Sequence, residues 1–281
     1  MRKLFFIFLT IVATLPSFAQ KSKKDKLMER KQRINALVKQ EEEGVIAYHK
    51  QSAFGFKLTS DGYGGFFEVG RSKSVKKALF FQFELTERKH PKEEKQSNFS
   101  IPSSPFVYGK INYCYPLKLG VQQQFLLGNK TNRNGISVTA NIGGGMALAL
   151  LRPYNLEVND LDKGIRKYIR YASSDSTLYS SAGQSTHVPD SILFTNSSLL
   201  SFLQVSGAGF TRGWNQITVT PGLYTKASLR FDYGKYNEQL SALEVGLMAE
   251  LYSKAIPQLV YSNPRQFFIS AYVSILFGKR K

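Results

Sequence analysis

Three histidines are the side chains of this 281-residue chain best suited to moving protons near neutral pH. A hydrolase would need one of them beside a serine nucleophile, with or without a carboxylate to orient it. His187 has Ser185 and Asp190 close in sequence, His90 sits in the word Lys89-His90-Pro91-Lys92-Glu93, and His49 precedes the first strand-like segment. Closeness in sequence does not make a site, and His90 and His187 read first as solvated loop histidines, so no catalytic residue is assigned. Cys114 is the single cysteine, which excludes an internal disulfide and a thiolate zinc site. Neither a metal nor a cofactor is expected. Gly143-Gly144-Gly145 lacks the Lys-Ser/Thr that follows in a phosphate loop and reads as a bulge or kink in a strand.

The elements that would position these residues begin after a leader. Arg2 and Lys3 precede the apolar run Leu4 to Pro16, and Ser17-Phe18-Ala19 is a small-x-small cleavage site. The run falls short of the roughly 20 apolar residues of a spanning helix. Residues 1–19 are therefore expected to be a signal peptide, with no cysteine behind it to carry a lipid anchor. Export makes nucleic acid a poor partner for a chain of net charge +18. It turns that charge toward lipid headgroups, lipopolysaccharide or another envelope protein. Residues 20–50 are expected to be a basic periplasmic arm. Its Lys, Arg, Glu and Gln carry only a thin apolar stripe of Leu27, Ile34, Leu37 and Val38, the pattern of a solvated or frayed helix.

From residue 51 the hydrophobic period becomes two. Phe54, Phe56 and Leu58 alternate with small or polar residues, and Asp61-Gly62 supplies a hairpin turn. The alternation recurs at Phe67 and Val69, at Leu79 to Leu85, at Val107 to Tyr113, and, after a turn at Tyr115-Pro116, at Leu119 to Phe125. It returns at Ile136 to Ile142, Leu223 to Tyr233, Leu243 to Leu251 and Phe267 to Phe277. Successive strand side chains point to opposite faces, so each segment has one apolar and one polar face. Segments this long, with aromatics such as Tyr113, Tyr233, Tyr252 and Phe277 near their ends, fit a membrane barrel better than a soluble sandwich. Residues 51–281 are thus expected to form an all-β, antiparallel transmembrane barrel of about 8–10 strands. The nine segments make an awkward odd count. Either Phe54–Leu58 is not a strand, or another hides between Ile192 and Val205. Residues 152–216 break the pattern and are expected to be a long loop capping one mouth. Disorder is expected in Ser173 to Ser185, and a short interfacial helix at Leu199–Leu203.

The polar faces collect Lys57, Lys110, Lys118, Lys226 and Arg230 against Glu68, Glu84, Asp232, Glu244 and Glu250. Balanced charges in a narrow barrel predict an ion-paired, closed interior.

The words Ser60-Asp61-Gly62-Tyr63-Gly64-Gly65-Phe66, Lys89-His90-Pro91-Lys92-Glu93, Val107-Tyr108-Gly109-Lys110 and Leu151-Arg152-Pro153-Tyr154-Asn155-Leu156-Glu157 carry a resemblance. With Pro221-Gly222-Leu223-Tyr224-Thr225-Lys226-Ala227 and Phe277-Gly278-Lys279-Arg280, they make the mature chain resemble a family of exported, uncharacterised β-barrel proteins of Gram-negative bacteria. The resemblance implies an outer-membrane barrel and carries over no catalytic residue. The expected role is structural or interaction-bearing, in a monomer, with Lys89 to Glu93 as the candidate interaction motif. The alternatives are a membrane-embedded hydrolase of lipid A or phospholipid, and a small diffusion pore.

Overall fold

The structure, a computed structural model, describes residues 27–32, 34–35, 49–74, 77–97, 104–130, 135–160, 165–173, 176–181, 184–196, 204–234 and 238–281. The expected signal peptide, most of the expected basic arm and the expected helix at Leu199–Leu203 lie outside the described residues. The chain divides into two units, Met1–Val45 and Ile46–Lys281. In the first, residues 27–32 and 34–35 are helical and exposed.

The second unit starts with β1 (Lys50–Thr59), β2 (Gly62–Ser74) and β3 (Lys77–Arg88). The short β4 (Lys95–Gln96) and β5 (Phe106–Val107) follow, then the long β6 (Asn112–Gly128) and β7 (Ser137–Pro153). Next come β8 (Leu156–Asp160), β9 (Ile165–Ile169), β10 (Ser176–Ser181), β11 (Gln184–Pro189), helix α1 (Asp190–Thr195) and β12 (Gln204–Gly207). A 3-10 turn at Trp214–Gln216 leads into β13 (Thr218–Asp232), β14 (Gln239–Ile256) and β15 (Arg265–Arg280).

Eight strands close into an antiparallel barrel in the order β1-β15-β14-β13-β7-β6-β3-β2, and β2 pairs back onto β1. Phe54–Leu58 is therefore no strand to discard: β1 closes the barrel against β15, with Phe54 opposite Phe277 and Leu58 opposite Val273. The surplus segment is Val107–Tyr113. Phe106 and Val107 pair with Lys95 and Gln96 outside the barrel, and Tyr113 belongs to β6. Tyr115-Pro116 is not a turn. The strand runs through it, with Pro116 opposite Ala149 of β7. Proline has no N–H to give a second neighbour, and the β3–β6 register accordingly stops at Leu117 and resumes at Cys114. Nor is Gly143-Gly144-Gly145 a bulge, since β7 passes through it in unbroken register with β6 and β13. No barrel strand lies among the described residues between Ile192 and Val205. That stretch holds part of α1, while β12 joins a small sheet with β8 and β9.

The barrel is inside-out by the standard of a soluble protein. Gln51, Lys57, Glu84, Lys118 and Arg230 are buried in the lumen, while Phe56 on the outer face is 70 % exposed. Phe54, Leu58, Phe81, Leu223, Leu247 and Ile269 share that outer face. Leaving one such side chain in water forfeits about 1.5–3 kcal/mol relative to burying it. A continuous band of them is stable only against lipid. The lumen is too narrow for bulk, and glycines make room for inward rings. A Cβ on Gly70 would stand 2.3 Å from Phe80, and one on Gly120 2.4 Å from the Tyr224 hydroxyl.

One mouth carries the tight β1–β2 turn and the long connections 89–111, 154–217 and 257–264, and the other carries the remaining, short connections and both ends of the barrel chain. The three long connections fold together. Val107, Tyr154, Leu156, Val158, Ile169, Leu193, Phe194, Val205 and Leu259 bury one apolar cluster, so the long loop is a small capping unit. Much of the serine-rich stretch expected to be disordered forms the β10–β11 hairpin, in which Thr177 pairs with Val188 and Tyr179 with Thr186. These are strong strand formers, and they outweigh the serines around them.

Candidate functional site

The lumen charges form a column of hydrogen bonds and ion pairs from the capped mouth to the open one. At the top, Arg88 of β3 donates to Asp61 in the β1–β2 turn at 2.5 Å and to Glu250 of β14 at 2.9 Å. Lys118 bridges Glu250 at 2.8 Å and Glu84 at 3.0 Å. Lys57 holds the other oxygen of Glu84. Gln82 donates to Glu84 at 3.4 Å and accepts from Lys226. Lys226 lies 3.8 Å from Glu244, which takes Arg230 at 2.7 Å. Arg230 also grips Glu68 with both terminal nitrogens, at 2.7 and 2.8 Å. Below, Gln51 donates to Glu68 at 3.3 Å and accepts from Arg280 at 2.9 Å. Arg280 meets Asp232 at 2.7 Å, and Lys130 meets it at 3.4 Å. Tyr272 and Tyr252 donate to Glu244 and Glu250 at 2.8 and 2.6 Å.

Strand parity puts these groups in the lumen, because each lies an even number of residues from its neighbours on the same strand: Gln82, Glu84 and Arg88 on β3, Lys226 and Arg230 on β13, Glu244 and Glu250 on β14. Nine of the ten charges expected to point inward are thus placed in one column. Lys110 is elsewhere. It lies between β5 and β6, bridges Leu259 and pairs with Glu93 in the cap. Its surroundings lower its affinity for a proton through burial, which Glu93 partly offsets. Arg88 joins the column without having been expected there, although two steps beyond Thr86 on the same face would have found it.

The histidines are scattered. The His49 backbone N–H donates to the Lys281 carbonyl at the open mouth. His187, exposed, lies 3.5 Å from the hydroxyl of Ser176, while Asp190 pairs with Lys167 at 3.1 Å. His90 Nε2 lies 3.0 Å from the Ser262 hydroxyl, and its Nδ1 accepts the Lys92 N–H at 3.2 Å. With Nδ1 an acceptor, the proton of the neutral ring sits on Nε2, which then donates to Ser262. A serine nucleophile needs the reverse, a bare Nε2 to take its proton. Burial, then the nearby charges of Arg265 and Lys92, depress the His90 pKa and favour this neutral form. In the candidate motif, His90 and Glu93 therefore staple loops together, Lys89 lies over the Tyr63 ring at 5.1 Å, and Pro91 and Lys92 are exposed.

Among the described residues, two cavities open at the capped mouth. One, of about 310 Å³, is lined by Asp61, Lys89, His90, Ser262, Arg265 and Phe267. The other, of about 280 Å³, lies where the cap meets the barrel wall and is lined by Tyr63, Tyr115, Arg152, Tyr154, Phe210 and Arg212 among others. Among the described residues, no group of three or more His, Cys, Asp or Glu could hold a metal ion.

No family model and no curated protein matches the chain. Among solved structures it is similar to the N-terminal β-barrel domain of Pseudomonas aeruginosa OprF, at 8 % identity over 82 % of this chain and 98 % of that one, with a TM-score of 0.35. It is also similar to Ail, the attachment invasion locus protein of Yersinia pestis, at 8 % identity over 83 % and 99 %, TM-score 0.35. Neisserial surface protein A matches at 11 % over 83 % and 97 %, TM-score 0.30.

Proposed function

We propose that this chain is an outer-membrane barrel whose lumen is sealed by ion pairs and whose role, structural or interaction-bearing, is exercised at the capped mouth. The observation that carries the reading is the pair of salt bridges thrown across the lumen. β13 and β2 stand opposite each other in the ring of eight, as do β3 and β14. Arg230–Glu68 and Arg88–Glu250 therefore cross it at two levels. Short turns and chain ends belong on the periplasmic side of such barrels and long loops outside, which turns the cap outward. Lipid against the apolar wall and lipopolysaccharide around the mouth are then the natural partners of a basic, monomeric protein.

The pore reading is tested by adding the folded, purified protein to planar bilayers. The sealed lumen predicts no stepwise conductance, and ohmic steps would contradict it. The hydrolase reading finds little support in a His90 whose proton sits on the wrong nitrogen. If the lipid A and phospholipid mass spectra of cells overproducing the protein change, that reading returns. If they do not, the binding role stands.

A further inference from the structure

The strongest feature outside the lumen is a cation without a counter-ion. Arg152 is the last residue but one of β7 and is only 1 % exposed. Its guanidinium carbon lies 4.2 Å from the Tyr113 ring centre, 4.9 Å from both Phe210 and Trp214, and 5.7 Å from Tyr115. Its hydrogen bonds go to the carbonyls of Phe210 and Arg212 and to the Tyr115 hydroxyl. Among the described residues no carboxylate lies within ion-pair distance, and Nε has no partner. Burying a charge unpaired is costly, and an arriving anion would offset that cost.

Arg152 lines the 280 Å³ cavity under the cap. The two acids of that lining are engaged, Glu87 by the Tyr63 hydroxyl at 2.9 Å and Glu93 by Lys110. Lys89, Lys95 and Arg212 add three more cations to the walls. Five aromatic residues, Tyr63, Tyr113, Tyr115, Tyr154 and Phe210, share the lining with small and neutral residues such as Ser104, Pro105 and Gly207. Guanidinium forks recognise phosphate and carboxylate oxygens. Aromatic rings with polar tips offer flat apolar faces and hydroxyls together. The volume is near the lower end of the roughly 300–1,000 Å³ typical of ligand pockets, enough for one or two sugar rings.

We infer that this cleft binds a phosphorylated sugar, its rings on the tyrosine faces and its phosphate toward Arg152 and Arg212. The inference deepens the reading of the capped mouth as the working surface and rests on it. Such a sugar could be the core of a lipopolysaccharide or a free sugar phosphate.

The chain has a single tryptophan, Trp214, stacked on Tyr115 with ring centres 5.6 Å apart, so its emission reports on the cleft. The full mature protein, folded in detergent micelles, is titrated with delipidated core oligosaccharide, with glucosamine 1-phosphate, with glucose and with inorganic phosphate. The cleft predicts a saturable change in Trp214 emission with both phosphosugars, at least tenfold tighter than with glucose or phosphate. Tighter binding of the oligosaccharide points to the envelope as source, and equal binding to free sugar phosphates. Arg152→Met should abolish the response but risks unfolding the cap. Arg212→Ala changes an exposed residue and should weaken binding about tenfold, with the unliganded emission unaltered. No saturable change at millimolar probe, glucose binding as well as the phosphosugars, or full affinity in Arg212→Ala each overturns the inference. A protein that binds phosphosugars yet is found outside the membrane fraction keeps the cleft and loses the outer-membrane reading. A membrane-embedded protein that binds none does the reverse.

Discussion

Arg230 and Glu68 meet fork to fork across the barrel, Nη1 to Oε1 at 2.7 Å and Nη2 to Oε2 at 2.8 Å, both side chains buried. They come from opposite strands of the ring, so the pair ties the two halves of the wall. Removing Glu68 leaves the buried Arg230 with Glu244 as its remaining carboxylate, so the loss should lie toward the lower end of the roughly 3–5 kcal/mol of a broken buried pair. Glu68→Leu should lower the stability measured by urea unfolding from micelles by that amount. Adding Arg230→Met should restore part of it, because Glu244 keeps Lys226 and Tyr272. Strictly additive losses would show that the pair is not coupled.

Leu247 lies on the outer face of β14 and is 62 % exposed. In a water-soluble sandwich, Leu247→Arg would be nearly neutral. Facing lipid near the middle of its strand, it should cost about 2–4 kcal/mol. Refolding into bilayers at graded urea measures the difference, and a neutral result would argue against a lipid-facing wall.

Phe194 is fully buried in the cap. Phe194→Ala removes its ring from the cluster of Tyr154, Leu156 and Leu259, a loss of about 3–5 kcal/mol of local packing. The cap should loosen while the barrel persists. Limited proteolysis should then cut between residues 154 and 217 and leave the strands intact. Cleavage no faster than in the parent would mean that the cap does not depend on this cluster.

The His90 ring is held neutral below its ordinary pKa of about 6.5 by burial and by the charges of Arg265 and Lys92. A base whose folded pKa is depressed binds fewer protons than the unfolded chain between the two values. Its contribution to stability is therefore complete above about pH 6.5 and falls away as pH drops through the depressed value. The His90 ring signal, followed by NMR in micelles, should titrate below about 6.5. A proton on Nδ1 should also break the hydrogen bond that this nitrogen accepts from the Lys92 N–H. A midpoint at or above that pH would mean that the loop does not shield the ring.

Most of the barrel was legible because period-two alternation is a local property. Eight of the nine alternating segments mark the eight barrel strands, and the ninth, Val107 to Tyr113, reaches β6 only at its end. What misled was punctuation. Pro116 looks like a turn, but a barrel strand tolerates it where one ladder can lapse. Lys110 carries the parity of a lumen residue, yet its segment joins the wall only from Asn112 onward. The cap was illegible for a different reason. Val107, Leu156, Phe194 and Leu259 are far apart in sequence and carry no period, and only the closed barrel brings their loops to one mouth. Arg152 was readable as a word in the sequence, but not as a cation ringed by Tyr113, Phe210 and Trp214.

The central claim is that the apolar face of this barrel meets lipid and the charged face meets itself. Heat-modifiability in washed outer membranes tests it most directly. Cells expressing the chain are fractionated, and the membrane fraction is run on SDS gels with and without boiling. The account predicts a band in the outer-membrane fraction that migrates differently before and after heating, because the sealed barrel resists SDS until boiled. A protein recovered from the soluble periplasm, with one mobility under both conditions, would contradict it.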